Sequence, residues 1–373
     1  MIRVLHMLGS LDVGGSQMML LNLYRNIDRE CVQFDIVLDH PENPSLASEF
    51  EKLGSRVFIL PKFKGQNFQE IRESWKKFFK EHPEYKILHS HVRSYASIYI
   101  PIAKKYGVKT IIHSHSTNEG KGISGLIKRI MEFPLRYQAD YLMACSNEAG
   151  KWLYGAKACQ KSNYIFIPNA IDTDKYLFSK EIAATYRKML CLQGKFVVGH
   201  VGRFHKAKNH AFLLEVFAKV LEKRADAILL LVGDGELRGE IEHKIQELGV
   251  ENQVILMGSR EDVPQLLQAM DVFVFPSCWE GLPVTVVEAQ AAGLPCLISD
   301  RITTDVDLSK LVKRLPIDDS NKWCEAILET DTQKMNVIPE IKKAGFDVKD
   351  VAKRLMDFYM SIGENNVKIH NEA

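Results

Sequence analysis

The sequence lacks several of the features that assign a protein to a class at first sight. Its seven cysteines are scattered singly, without a C-x-x-C pair, which is typical of reduced thiols. No run reaches the roughly 18 uninterrupted apolar residues of a membrane-spanning helix. The N-terminal residues begin directly with a strand pattern, not with a signal peptide. We therefore expect a soluble, cytoplasmic globular protein.

The net charge gives no sign of a nucleic-acid partner, because 49 Lys and Arg stand against 47 Asp and Glu. The charge is unevenly distributed, however. Residues 1–170 carry 23 basic and 16 acidic side chains, whereas residues 171–373 carry 26 and 31. A positive first half suits an anionic partner, either a phospholipid surface or a phosphorylated substrate.

Two nucleotide-binding fingerprints are also missing. Gly9 and Gly14 are too far apart for G-x-G-x-x-G, and no P-loop lysine follows them. What is present is Gly14-Gly15 between a strand pattern and a helix pattern, where backbone N–H groups at a helix N-terminus can hold a phosphate. A plain strand-to-helix turn explains the two glycines equally well.

Short apolar segments alternate with amphipathic ones along the chain, which predicts parallel sheets with helical crossovers. The first series of strands is expected at Ile2–Leu8, Phe34–Leu38, Arg56–Leu60, Ile87–His91, Thr110–His113, Tyr141–Ala144 and Tyr164–Ile167. The second is expected at Phe196–Val201, Ala227–Val232, Val254–Met257, Val272–Phe275 and Pro295–Ile298. Two series indicate two doubly wound α/β domains, residues 1–170 and 171–346, followed by a last helix at about Asp347–Ile362 within residues 347–373.

Two cations follow the first strand of the second series. Arg203 and Lys208 flank a short loop before a helix pattern. Fixed cations at the C-terminal edge of a parallel sheet suit a diphosphate and can stabilise it as a leaving group. A solvated basic loop is the plainer explanation.

Two carboxylates frame a predicted helix start. In Gly281-Leu282-Pro283 the proline stands near the first helical position, so the amides of Gly281 and Leu282 point toward a ligand beside Glu280. Glu288 follows nearly two turns into the helix. Carboxylates are good partners for sugar hydroxyls. The helix dipole alone favours an acidic first turn, which explains Glu280 better than Glu288.

Two His-Ser-His triplets, His89-Ser90-His91 and His113-Ser114-His115, end strands of the first series. Period-two spacing places both histidines of a triplet on one face. This permits a metal site of the kind that metal-dependent hydrolases use, but no matching Asp, Glu or His ligands are found at other strand ends. A histidine that donates a hydrogen bond to substrate, or one with a structural role only, is the alternative.

Together these segments resemble the retaining glycosyltransferases of family 4, which have the GT-B fold. The resemblance covers nearly the whole chain. It rests on Gly14-Gly15, the loop from Arg203 to Lys208, Val232-Gly233-Asp234-Gly235, and the E-x7-E element from Glu280 to Glu288 with its continuation Ala289–Pro295. The last element is the most specific, and it looks most like bacterial capsule and exopolysaccharide enzymes.

The resemblance implies two Rossmann-like domains that face a deep cleft. The first would bind the acceptor, the second the nucleotide-sugar, and the last helix would cross back to the first. By motif, Arg203 and Lys208 would hold the donor diphosphate, with amides near Gly15 contributing from the other domain. Glu288 would bind the ribose, Glu280 with Gly281 and Leu282 the transferred sugar, and Arg260 would lie beside the base. His115 would contact the sugar near the reaction centre, a role that His113 could also fill.

The implied reaction transfers a hexose-type sugar from a UDP-sugar, or else a GDP-sugar, to a saccharide or lipid-linked acceptor, with retention and without metal or cofactor. Basic residues around the apolar positions of 62–80 suggest contact with an anionic inner leaflet, although an ordinary surface helix explains them equally well. The alternatives are a nucleotide-sugar epimerase on the same fold and a metal-dependent hydrolase that uses the His-Ser-His triplets. A non-catalytic relative is disfavoured, because every motif position holds a competent residue.

Overall fold

The alternation of strands and helices produces two parallel β-sheets. The computed structural model describes residues 1–12, 14–40, 45–115 and 122–364, and the chain divides into two units. Unit 1 contains residues 1–170 together with the last helix, and unit 2 contains Ile171–Asp347. The strands of each sheet are flanked by helices, so the predicted doubly wound α/β class is confirmed.

Unit 1 holds a seven-stranded sheet in the described residues, ordered β3-β2-β1-β4-β5-β6-β7. Its strands are β1 (Ile2–Leu8), β2 (Val32–Leu38), β3 (Val57–Ile59), β4 (Ile87–Ser90), β5 (Lys109–Ser114), β6 (Tyr141–Ala144) and β7 (Tyr164–Phe166). Its helices are α1 (Gly15–Asn26), α2 (Ala47–Lys52), α3 (Phe68–Glu81), α4 (Ala96–Lys105), α5 (Gly122–Glu132), α6 (Leu135–Gln138) and α7 (Asn147–Tyr154). The central strands are buried on both faces, which is why they consist of nearly continuous apolar runs.

Unit 2 holds a six-stranded sheet in the described residues, ordered β10-β9-β8-β11-β12-β13. Its strands are β8 (Phe196–Val201), β9 (Ala227–Val232), β10 (Val254–Leu256), β11 (Val272–Phe275), β12 (Cys296–Ser299) and β13 (Val312–Leu315). Its helices are α8 (Lys180–Met189), α9 (His210–Lys223), α10 (Arg238–Leu248), α11 (Val263–Ala269), α12 (Val284–Ala291), α13 (Ser320–Leu328) and α14 (Ile338–Lys343). The neighbours β8 and β11 are parallel, so the loops that follow them leave the same edge of the sheet.

The last helix, α15 (Val348–Glu364), packs on unit 1 against α1 and β1. Its residues Val351, Leu355 and Tyr359 are fully buried in one hydrophobic core with Leu20 of α1. Residues 365–373, which the sequence places in the same segment, lie outside the described residues. The apolar stripe of the last helix is therefore a core face of unit 1.

The apolar side of α3 also faces the core, through Ile71, Trp75, Phe78 and Phe79. Of the two explanations that the sequence leaves open for this segment, the structure favours the ordinary surface helix. The described helices also lack the combination of length and apolar character needed to cross a bilayer.

Candidate functional site

Lys208 and Glu280 form an ion pair at the edge of the sheet in unit 2. Lys208 ends the short turn after β8, and Glu280 lies in the loop between β11 and α12. Lys208 Nζ donates to Glu280 Oε1 at 2.7 Å, and the two side chains are only 16% and 14% exposed. The same ammonium lies 4.6 Å from the centroid of the Phe275 ring. A cation and a carboxylate that the sequence places 72 residues apart are thus in direct contact.

The backbone of this edge is held together by hydrogen bonds between loops. Cys278 N donates to Ala207 O at 2.7 Å, which joins the loop of Glu280 to the turn of Lys208. Gly233, with φ +138°, has its α-carbon so close to the preceding loop that a Cβ would lie 2.1 Å from Gly202 O. The loops after β8 and β9 therefore touch backbone to backbone, which only glycine permits at this position.

Arg203 has a different environment from Lys208. Its side chain is 72% exposed, and its Nη2 lies 3.2 Å from Glu236 Oε2. The arginine thus extends into solvent beside a carboxylate that the sequence motifs do not single out. An exposed, salt-paired guanidinium is free to reorient toward a ligand at low cost, since surface ion pairs contribute little.

Helix α12 begins later than the sequence predicts. Pro283 occupies the N-cap position and Val284 is the first helical residue, so Gly281 and Leu282 lie in the preceding loop. Glu288 is consequently the fifth residue of the helix, just over one turn in, and not nearly two turns. The helix has neither a side-chain cap nor an acidic residue in its first turn, which leaves its positive end available to an anion.

Glu288 is partly buried and accepts a hydrogen bond from Tyr176 Oη at 2.7 Å. Burial raises the pKa of the Glu288 carboxyl above its ordinary value, and the bond from Tyr176 opposes that rise. Burial also raises the pKa of Tyr176, so the phenol remains a donor. The motifs do not point to Tyr176, because it lies 112 residues away from its partner in an irregular segment.

Arg260 lies in the loop after β10 and is held by a carboxylate. Its Nε and Nη2 donate to Asp262 at 2.8 and 2.7 Å, and Tyr186 Oη donates to the same group at 3.1 Å. The loop neighbours that of Gly233, whose N–H donates to Gly258 O at 2.9 Å. The backbone that the sequence predicts to bind the base therefore lies next to the contact between Gly233 and Gly202.

Gly15 is the first residue of α1 in unit 1, with Gly14 at the N-cap. As at α12, this helix start has no side-chain cap and no acidic residue in its first turn. A Cβ at Gly15 would meet no heavy atom within 4 Å, so packing does not demand glycine there. The space and the positive helix end suit an approaching anion.

Five histidines form a cluster at the C-terminal ends of three adjacent strands of unit 1. This histidine cluster consists of His6 of β1, His89 and His91 at the end of β4, and His113 and His115 at the end of β5. His91 lies between His6 and His115, with N···N distances of 3.1 Å and 2.7 Å. His89 lies between His113, at 3.2 Å, and Tyr359 Oη of α15, at 2.5 Å.

The sequence expectation that nothing accompanies the two triplets is wrong. His6 joins them because β1 is the neighbour of β4 in the sheet, an adjacency that a lone histidine in a strand does not reveal. Burial lowers the pKa of all five rings, to about 3 for His6 and His115, so the cluster is uncharged at neutral pH. His115, the predicted sugar contact, is partly exposed at the outer side of the cluster.

The chain is similar to known glycosyltransferases over its full length. Residues 13–175 match the family described as Glycosyltransferase Family 4, and residues 185–309 match Glycosyl transferases group 1. EpsF of Bacillus subtilis, whose assignment as a glycosyltransferase is provisional, is 33% identical over 96% of each chain. An Escherichia coli enzyme is 26% identical over 89% of this chain and 90% of its own. Its name is UDP-Gal:alpha-D-GlcNAc-diphosphoundecaprenol alpha-1,3-galactosyltransferase.

A solved structure has the same architecture. Anabaena Alr3699/HepE in complex with UDP superposes with a TM-score of 0.73 at 19% identity, covering 100% of this chain and 99% of that one. At this level of identity the structural similarity establishes only the fold. The 33% identity to EpsF over nearly the whole chain establishes the family. The chain therefore belongs to glycosyltransferase family 4 and has the GT-B fold.

Proposed function

We propose that this glycosyltransferase moves a hexose-type sugar from a UDP-sugar, with retention of configuration, to a saccharide or lipid-linked acceptor in surface-polysaccharide synthesis. The contact between Lys208 and Glu280 is the observation on which this rests. It brings one group suited to a phosphate and one suited to sugar hydroxyls to within 2.7 Å, as the junction between diphosphate and sugar requires.

Two comparisons support UDP as the nucleotide. The E. coli relative is named for a UDP-Gal donor and a diphosphoundecaprenol-linked acceptor. The Anabaena protein has been crystallised with UDP, with UDP and glucose, and with UDP-glucose. We carry both features to this chain: a UDP-sugar as donor and an acceptor that is a glycan or is lipid-linked.

The ion pair would open when the donor binds. Lys208 would move its charge to the diphosphate, and Glu280 would accept from hydroxyls of the transferred sugar. The uncapped start of α12 and the reoriented Arg203 would add donors to the phosphates, and Glu288 would accept from the ribose hydroxyls. The exchange keeps both buried charges partnered, which a site of low polarity requires.

The reaction itself would need no metal and no protein nucleophile. The acceptor hydroxyl attacks the anomeric carbon on the face that the diphosphate leaves, the bond to the diphosphate oxygen breaks, and that oxygen takes the acceptor's proton. Lys208 and Arg203 stabilise the charge that grows on the leaving phosphate. His115, being neutral, would hydrogen-bond the sugar near this centre.

The test is a donor screen with the purified chain. We expect one UDP-sugar to be transferred to a lipid-linked glycan acceptor, unaffected by EDTA, with the donor's anomeric configuration kept in the product by proton NMR. Glu280→Gln should lose transfer while UDP still raises the melting temperature, and Glu240→Gln on α10 is the matched exposed control. An inverted product, or equal loss of UDP binding and transfer in Glu280→Gln, would contradict the proposal.

A peripheral membrane contact is a second part of the proposal. The sequence suggests α3 for this contact, but the structure favours a surface on α5 and α6, which follow each other in the chain. Here the apolar side chains Leu126, Ile127, Ile130, Phe133 and Tyr137 are between 52% and 69% exposed. Lys128 on the same helix is also exposed. An apolar face beside basic residues suits an anionic lipid surface, where a lipid-linked acceptor would be presented.

A further inference from the structure

The histidine cluster has an inner and an outer half. His6 and His89 are 0% and 1% exposed and lie deep in the sheet, whereas His91 and His115 are partly exposed. His113 is buried at 1% exposure but belongs with the outer pair. Each of the three rings has one nitrogen that lies within 4.8 Å of a nitrogen of both other rings. The outer three, His91, His113 and His115, thus converge on a common point that opens outward.

The inner half holds the outer half in place. His91 uses Nε2 toward His6, and His113 uses Nδ1 toward His89. The other nitrogen of His113 is thereby left for the common point, while His91 Nδ1 is hydrogen-bonded to His115 Nε2 at 2.7 Å. This is the arrangement found around metal-binding histidines, where the remote ring N–H donates to a neighbouring acceptor and fixes the tautomer of the ligand.

A metal ion would select one of the two opposite sets of tautomers that satisfy these contacts. If His91 Nε2–H and His113 Nδ1–H donate inward, His6 Nδ1 and His89 Nε2 accept, and His89 Nδ1–H can donate to Tyr359 Oη. In this set His91 Nδ1 accepts from His115 Nε2–H, and the lone pair of His113 Nε2 is left over. His113 Nε2 is buried and has no hydrogen-bond partner in the described part of the chain. An unpaired buried acceptor of this kind is costly unless something binds it.

The donor set defines the ligand. Three neutral imidazole nitrogens without a carboxylate suit zinc and similar transition ions, and three histidines with an open fourth position are a known zinc geometry. In a tetrahedral zinc site two such nitrogens lie about 3.3 Å apart, given bonds of about 2.0–2.1 Å. His91 Nδ1 and His115 Nε2 lie 2.7 Å apart and share one proton, so the ion must separate them and replace that proton, which moves to the unpaired His115 Nδ1. The nearby cation Arg93 lies 3.4 Å from Glu132, which offsets its repulsion.

We propose that His91, His113 and His115 bind a divalent ion of the zinc class, and that the bound ion competes with the transferred sugar for His115. The binding site follows from the geometry alone. The competition rests on the proposed function, which gives His115 its sugar contact. The ion is thus an inhibitor of transfer and not a participant in it, in keeping with the metal-independent reaction proposed above.

Binding is tested on the full chain after metal removal, with Co²⁺ alone as the spectroscopic probe and Zn²⁺ as competitor. We expect one Co²⁺ per chain with the visible absorption of a tetrahedral site, displaced by Zn²⁺. His91→Gln should weaken binding by more than the roughly 10–100-fold that follows loss of a partner around a metal ligand. His243→Gln, on the exposed side of α10, is the matched control and should bind as the wild type does. If His91→Gln fails to fold, His115→Gln is used instead.

Inhibition is tested by transfer assays over a Zn²⁺ range. We expect Zn²⁺ to raise the KM for the donor sugar, without weakening binding of UDP alone, and EDTA to restore activity. Absence of a Co²⁺ site in a chain that transfers sugar overturns the metal site and leaves the proposed function intact. Metal binding at these residues without inhibition overturns the competition and the role of His115. Equal inhibition of wild type and His91→Gln also overturns the proposal, because the ion would act elsewhere.

Discussion

At the scale of single residues, Lys208 and Glu280 neutralise each other in a place where neither would be stable alone. Both side chains are mostly buried, so removal of one partner leaves an uncompensated charge. Such a pair is an expensive way to stabilise a fold. In a binding site the same pair is useful, because an incoming anion can replace Glu280 as the partner of Lys208 while the ligand's hydroxyls replace Lys208 as the partner of Glu280.

Substitution of Lys208 by alanine is expected to reduce kcat by about 10²–10³-fold, the usual effect of removing one group that stabilises developing charge. The KM for the acceptor should change little, because the proposed partner of the lysine is the donor diphosphate. Lys206→Ala, an exposed lysine of the same turn, is the control and should behave as the wild type. Comparable turnover in wild type and Lys208→Ala would exclude the assigned role.

Glu288→Gln is expected to stabilise the unliganded chain in a pH-dependent manner. Burial raises the folded-state pKa of Glu288. Below the ordinary glutamate pKa both states hold the proton, and as the pH rises the unfolded chain ionises first, so the wild type loses stability. The gain in melting temperature of Glu288→Gln over the wild type should thus be small near pH 4.5 and larger near pH 8.

The exposed substitution Glu240→Gln should show no such trend. Stabilisation by UDP should also be weaker in Glu288→Gln than in the wild type, because the ribose would lose the carboxylate proposed to accept from its hydroxyls. A gap between Glu288→Gln and wild type that is constant or reversed between the two pH values would show that Glu288 is not held at a raised pKa.

At the scale of elements, the loops of unit 2 are shaped by the contact between Gly233 and Gly202. Gly233→Ala places a Cβ 2.1 Å from Gly202 O at φ +138°, so we expect a loss of at least about 1–3 kcal/mol from backbone strain alone. Gly239→Ala, in open space in α10, should be neutral or stabilising by up to about 1 kcal/mol. Denaturant unfolding compares the two, and similar midpoints would disprove the close contact.

The exposed face of α5 gives a second prediction at this scale. Ile130→Asp should weaken binding to anionic vesicles by about tenfold or more, because a buried isoleucine contributes about 1.5–3 kcal/mol. Leu177→Asp replaces an apolar residue of similar exposure in unit 2 and is the control. Cosedimentation measures both. Unchanged binding of Ile130→Asp, or binding that ignores salt and lipid charge, would rule out this surface.

The elements also show where sequence patterns suffice. Most strands were predictable because a parallel strand buried on both faces is an apolar run, and β1, β6, β8, β9 and β11 have the predicted bounds. The edge strand β13 was missed, because its four residues Val312–Leu315 include a lysine and an arginine. The amphipathic patterns of α3 and α5 are alike in kind. Whether the apolar face of such a helix enters the core depends on how the helix packs against the sheet, and the sequence pattern does not reveal that packing.

The site residues divide in the same way. The proximity of Lys208 and Glu280 follows from the strand pattern, because the loops after two neighbouring parallel strands leave the same edge of the sheet. Tyr176 and His6 were not predictable, since each meets its partner only through the tertiary fold. The start of α12 was displaced because Pro283 caps the helix instead of beginning it.

At the scale of the whole molecule, unit 1 depends on a helix from the far end of the chain. Leu355→Ala, at a position 1% exposed in the core, is expected to cost about 2–5 kcal/mol. Arg354→Ala, the exposed neighbour on the same helix, should change stability by less than about 0.5 kcal/mol. If Leu355→Ala still binds UDP after unit 1 has unfolded, unit 2 folds without this helix. If UDP binding and the structure of unit 1 are instead lost in one transition, unit 2 does not fold independently of it.

The position of α15 also determines the order in which the protein can be completed during synthesis. Unit 1 is begun first, yet its core receives Val351, Leu355 and Tyr359 only after all of unit 2 has been made. Until then, the apolar surface of α1 and β1 lacks the part of its cover that α15 provides, and His89 lacks the Tyr359 hydroxyl from 270 residues downstream. The nascent chain must therefore protect an unfinished N-terminal half until α15 has been made.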